Sequence, residues 1–147
     1  MTITGKSILA KFFALLVVGL LLAVSTVTSV SQSKMPSEIT AWFETLQADD
    51  AGALDKLLAD DAVIELRDLG ISQTKSEFID SLDQWTQLNG DAKILKGAAT
   101  TSGKQTSLNV CYRFASNEVM NRETFFIENG QITKSVQERI SETCTDF

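Results

Sequence analysis

The sequence has no histidine, one proline, one tyrosine and two cysteines in 147 residues. Without histidine there is no Ser-His-Asp or Cys-His nucleophilic machinery, and no metal site that needs an imidazole ligand. Proton transfer is left to Asp, Glu, Tyr or Lys. Cys111 and Cys144 are too far apart for a CxxC motif, which excludes zinc-knuckle and thioredoxin-type sites. No group of Asp and Glu has the spacing of a calcium loop, so neither a metal nor another cofactor is expected. Basic side chains are the minority, 13 against 19 acidic, for a net charge of −6. That balance argues against nucleic acid and anionic lipid surfaces as partners. Repeats and low-complexity segments are missing as well.

The one long hydrophobic run lies at the start. Lys6 and Lys11 precede an unbroken apolar stretch from Phe12 to Val24. This fits the apolar region of a signal peptide and falls short of the ~20 residues that span a bilayer. Ala23-Val24-Ser25 and Val27-Thr28-Ser29 both offer small-x-small cleavage sites. The alternative is an uncleaved anchor through residues 12–30. On either reading the rest of the chain is exported, periplasmic or secreted, and meets a membrane only through this N-terminal segment. Residues 1–30 then form the signal peptide or anchor, 31–36 a linker and 37–147 a single domain. In an oxidising compartment an even cysteine count suggests one disulfide, Cys111 to Cys144, tying the C-terminal tail to a strand. Two free thiols are the alternative.

Past Pro36, which suits a first helical turn, Ile39, Trp42, Phe43 and Leu46 recur at helical spacing. Asp49 or Asp50 ends this helix and caps a second, whose stripe is Leu54, Leu57 and Leu58. Ala62 to Leu66 has strand character, and Gly70 marks a turn. Thr74 and Glu77 have capping-box spacing and open a third helix with Phe78, Leu82 and Trp85 inward, ending at Asn89-Gly90. Four strands are expected after it: Ala92–Thr100, a stretch around Leu108–Phe114, Val119–Ile127 and Ile132–Ile140. Asn129-Gly130, a strong hairpin dipeptide, joins the last two. Helices first and a strand meander after them predict an α+β domain.

The stretch WFETLQADDAGALDKLLADDAVIEL, followed by a capped helix and a meander, resembles the nuclear transport factor 2-like superfamily. That group includes the SnoaL-like polyketide cyclases and ketosteroid isomerase. The resemblance covers roughly Ser37 to Ile140. It implies a cone: a curved antiparallel sheet wrapped around N-terminal helices, with an apolar pocket at the open end. Such a fold alone licenses no activity. The isomerases of this group use a tyrosine on the first helix, an aspartate base at the end of the first strand and a protonated aspartic acid in the strand before the last turn. Aligned on Asp60-Asp61-Ala62, the first two positions fall on Trp42 and Leu66. Aligned on Asn129-Gly130, the third falls on Thr124. Isomerase chemistry of that type is therefore not expected.

Asp68 shares a strand face with Leu66 and is the candidate base at the cone mouth, with Glu65 as its alternative. A two-residue hairpin loop pairs Phe126 with Thr133, Thr124 with Ser135, Arg122 with Gln137 and Met120 with Arg139. These side chains would share the inner face, where Arg122 and Arg139 could receive a carboxylate or sulfate. Pairing with Glu138 or Glu142 is the competing role for the two arginines. The expected ligand pocket is thus Trp42, Leu66, Tyr112, Arg122, Thr124, Phe126 and Arg139. The other face would carry Val119, Phe125, Ile127, Ile132, Val136 and Ile140, an apolar surface that a second subunit could cover as a homodimer. Three functions follow. The first is a non-catalytic binder of a small apolar or amphipathic molecule. The second is a single-carboxylate isomerase, cyclase or dehydratase. The third is a dimeric envelope assembly module.

Overall fold

A computed structural model describes residues 34–145 and 147. The candidate leader, anchor and cleavage sites lie outside the described residues. Helix α1 (Ser37–Ala48) buries Ile39, Trp42, Phe43 and Leu46, the expected stripe. Pro36 is its N-cap, one position before the first turn. The two acids after it divide the work. Asp49 ends α1 in the left-handed region at φ 54°, and Asp50 starts α2 (Ala51–Leu57) by accepting a hydrogen bond from the Ala53 N–H at 2.8 Å. Strand β1 (Leu58–Leu66) begins four residues before the expected Ala62, and a 3₁₀ turn (Arg67–Leu69) leads to β2 (Ile71–Thr74).

The capping box is present: the Thr74 hydroxyl accepts from the Glu77 N–H, and the Glu77 carboxylate accepts from the Thr74 N–H at 2.8 Å. The single helix expected beyond it is broken at Ser81 into α3 (Lys75–Asp80) and α4 (Leu82–Asn89). The Ser81 hydroxyl donates to the Phe78 carbonyl at 2.7 Å, and such back-bonding competes with continued helix.

The strand expected over Ala92–Thr100 is likewise two, β3 (Lys93–Lys96) and β4 (Thr100–Ser102). Gly97 separates them. Its N–H reaches the Asn109 carbonyl at 2.8 Å, and a Cβ there would stand 3.1 Å from the same oxygen. Strands β5 (Gln105–Arg113), β6 (Glu118–Glu128) and β7 (Gln131–Ser141) complete a seven-stranded sheet. Its order is β2-β1-β7-β6-β5-β3, with β4 also on β5. The sheet is antiparallel except that β1 runs parallel to β7. It curves around the helices in an α+β cone.

The β6–β7 hairpin turns on Asn129 (φ 52°) and Gly130 (φ 76°), the conformation that an Asn-Gly loop provides. The expected register holds only for its first two pairs, Glu128 with Gln131 and Ile127 with Ile132. A bulge at Thr133 follows, and Phe126 pairs with Lys134, Phe125 with Ser135, Thr124 with Val136, Glu123 with Gln137 and Arg122 with Glu138. The face assignment of β6 is also the reverse of the one expected. Phe125 meets Trp42 and Phe43 of α1 edge-on, so Val119, Asn121, Glu123 and Phe125 face the helices. Met120, Arg122, Thr124 and Phe126 face away from them, as does Val136. The tail crosses this outer face, where Cys144 is disulfide-bonded to Cys111 with a Cα–Cα distance of 5.8 Å. Met120 and Leu95 pack around that bridge.

Candidate functional site

A cavity of about 180 Å³ lies between the helices and the inner face of the sheet. Leu46 of α1, Leu66 of β1, and Phe78, Leu82 and Trp85 of α3 and α4 form one side. Tyr112 and Phe114, with Val119, form the other. Gln73, Ser81, Asn121 and Gln137 add neutral polar groups. Behind Phe78 lies Trp42, stacked on it at 5.1 Å between ring centroids. Trp42 is fully buried and does not line the cavity, and its indole N–H has no hydrogen-bond partner among the described residues.

The one tyrosine extends from the cavity wall into the core. Its hydroxyl donates to Oε1 of Glu123, a residue with no solvent exposure, and Oε2 of the same carboxyl has no partner among the described residues. Burial pushes the Glu123 carboxyl up to about 7, with the Tyr112 hydrogen bond opposing the rise. The Tyr112 phenol is pushed well above its usual value, by burial first and then by the Glu123 charge and the hydrogen bond between them. A carboxyl pushed up to about 7 thus lies one side chain behind the cavity.

Of the expected site residues, the structure brings Leu66 and Tyr112 together in this cavity. Arg122, Thr124 and Phe126 are on the opposite face of the sheet, as the reversed alternation of β6 requires. Arg139 is at the sheet edge, ion-paired with Glu142 at 3.0 Å. Asp68 is an exposed residue of the 3₁₀ turn whose carboxylate accepts the Arg139 N–H at 2.5 Å, which ties the turn to an irregularity in β7. It does not line the cavity. Glu65, the alternative base, is held by Lys134 at 2.6 Å and lies outside the cavity too. Asp60, which lies within β1, bonds Lys75 at 3.2 Å at the start of α3.

Sequence reasoning gives Glu123 no part in the site. The protonated-acid position, placed on Thr124 by aligning on Asn129-Gly130, points outward, and the next residue back is the buried acid. Its signal was in the sequence: one carboxylate in phase with Val119 and Phe125, on the strand face that turns to the helices. Among the described residues, Cys111, Glu118 and Cys144 are close enough to share a metal ion. The disulfide consumes both sulfurs, and Glu118 is bonded to the Cys144 N–H and to Arg113.

No protein-family model matches the sequence, and neither does any curated protein. Solved structures do. A candidate ketosteroid isomerase from Kribbella flavida is 14% identical, with a TM-score of 0.63 over 71% of this chain and 76% of its own. A candidate polyketide cyclase from Sinorhizobium meliloti is 23% identical, with a TM-score of 0.56 over 74% and 99%. An NTF2-like protein of unknown function from Burkholderia xenovorans is 12% identical, with a TM-score of 0.59 over 74% and 86%. The fold is the nuclear transport factor 2-like cone. Within that fold the 180 Å³ cavity lies between the helices and the sheet, with Tyr112 in its wall and Glu123 behind Tyr112.

Proposed function

We propose that this chain is an exported SnoaL-like pocket protein that binds a small, neutral, largely apolar molecule in the cone. One observation carries the reading: none of the twelve residues lining the cavity is charged, and the polar groups among them are amides and hydroxyls. A space below the ~300 Å³ of ordinary ligand pockets suits a compact ligand with one or two hydrogen-bonding groups. The disulfide supports an oxidising compartment, and so export. No helix among the described residues is long and apolar enough to cross a membrane.

Trp85 lines the cavity and reports on it. Native mass spectrometry of the protein from its own host should show a bound mass that leaves on denaturation, and rebinding should change the Trp85 fluorescence. Val119→Phe, which fills the space, should abolish both signals while the chain stays folded. A bare chain whose fluorescence answers no extract of the host would overturn the reading. A second reading rests on Glu123: a buried carboxyl that changes charge near neutral pH beside a pocket could exchange a proton with a bound carbonyl compound. Conversion of the captured ligand by the wild type and its loss in Glu123→Gln, with binding retained, would establish that reading.

A further inference from the structure

The sheet face turned away from the helices holds a second space, an open groove of about 920 Å³. Its floor is ordered by strand pairing into cross-strand rows. One row is Gln105, Phe126 and Lys134; the next is Ser107, Thr124 and Val136; the third is Asn109, Arg122 and Glu138. Beyond the third row Cys111 and Met120 lie under the disulfide-tethered tail, which closes that end. Phe147 reaches back over β5 and stands 3.4 Å from where a Gly97 Cβ would be, as an aromatic wall.

The charges of the groove are unequal in availability. Lys134 is neutralised by Glu65 at 2.6 Å, and Arg67 by Glu65 and Glu138 at 3.9 and 3.6 Å. Arg122 is exposed in the middle of the floor and, among the described residues, its side chain has no ion-pair or hydrogen-bond partner. Lys96 does not add to this charge: it pairs with the buried Val110, so its side chain turns to the helix side, with its Nζ 5.5 Å from the centroid of the Phe43 ring. In a chain of net charge −6, a groove offering one uncompensated guanidinium is complementary to an anion.

We propose that this groove is a second binding site, for an organic carboxylate with a flat apolar body. The Arg122 guanidinium presents two parallel N–H donors, the geometry that a carboxylate accepts. Asn109, directly across the strands, adds an amide, and the hydroxyls of Ser107 and Thr124, 2.9 Å apart, are one row further on. From Arg122 to Phe126 the strand advances about 13 Å, over a floor containing the buried Val136, enough for a bicyclic ring system. Glu138, beside Arg122 in the same row, disfavours polyphosphates and other multiply charged anions. The site is separate from the cone cavity and does not depend on what that cavity binds.

The test is a titration of the full chain with naphthalene-2-carboxylate, followed by amide chemical shifts. Saturable shifts at Asn109, Arg122 and Thr124 are expected, with naphthalene-2-carboxamide binding at least about tenfold more weakly. Arg122→Gln removes no contact of the fold and should weaken the carboxylate about tenfold, while Arg139→Gln, outside the groove, should leave it unchanged. Equal affinity for acid and amide would overturn the proposal. So would an unaltered Arg122→Gln, no binding at millimolar probe, or shifts confined to Leu66, Trp85 and Tyr112.

Discussion

At the scale of single residues, Glu123 is the most consequential side chain. The folded carboxyl titrates at about 7 against an ordinary 4.5, so the folded state keeps a proton that the unfolded state has released. Between those values stability falls as pH rises, and above about 7 it levels off. At ~1.4 kcal/mol per pH unit, the wild type should lose about 3 kcal/mol from this group between pH 4.5 and 8. Glu123→Gln, which stays neutral and can still accept the Tyr112 hydroxyl, should remove that slope. Urea unfolding at the two pH values measures it, and parallel curves for the two proteins would mean that Glu123 is ionised in the fold. The apolar stripe Ile39, Trp42, Phe43 and Leu46 was legible because helical burial follows a local period. Glu123 was not, because strand alternation shows which residues share a face and leaves open which face is inward. One aromatic in each phase, Phe125 and Phe126, removed the usual asymmetry. The place of Asp68 was hidden for a related reason: its partner, the Arg139 N–H, belongs to the far end of the chain.

At the scale of elements, the irregularities place the sites. The capping box and the Asn-Gly turn were readable because each is a short code with a fixed spacing. The bulge at Thr133 was not, because one extra residue in a strand has no comparable signature. Its presence leads to a sharp expectation. Phe126 already pairs with Lys134, so deleting Thr133 regularises the hairpin and leaves Lys134, Ser135 and Val136 on their present faces. Such a variant should retain its near-ultraviolet circular dichroism and lose only the Thr133 hydroxyl bond to the Phe126 carbonyl at 3.2 Å. Inserting a second threonine should invert β7 beyond that point and abolish the signal, because it would turn Val136 inward and expose Ser135 and Gln137. The bulge also bears on oligomerisation. With Arg122, Thr124, Lys134 and Glu138 outward, the outer face is far more polar than the apolar surface expected to call for a second subunit.

At the scale of the whole molecule, the disulfide fastens the tail to β5 across 33 residues of sequence. On the chain-entropy account a loop of that length is worth about 3–4 kcal/mol. Replacing both cysteines with alanine should lower the unfolding free energy by that amount. It should also loosen the tail that walls the outer groove, weakening naphthalene-2-carboxylate more than any ligand of the cone. Thermal unfolding with and without reductant checks the first expectation, and calorimetric titration the second.

The parallel pairing of β1 with β7 has a consequence for how the chain reaches this state. Ile64 and Ser135 are neighbours in the sheet, and every strand between β1 and β7 in sequence must exist before they can meet. Contacts of such wide separation slow folding and come late. During synthesis α1 therefore leaves the ribosome long before Phe125, the ring that covers Trp42 and Phe43. Until then a patch of tryptophan and phenylalanine is open to solvent, a surface that invites chaperone capture or aggregation. A chain truncated before β6 should be bound by holdase chaperones, whereas the complete chain should escape them.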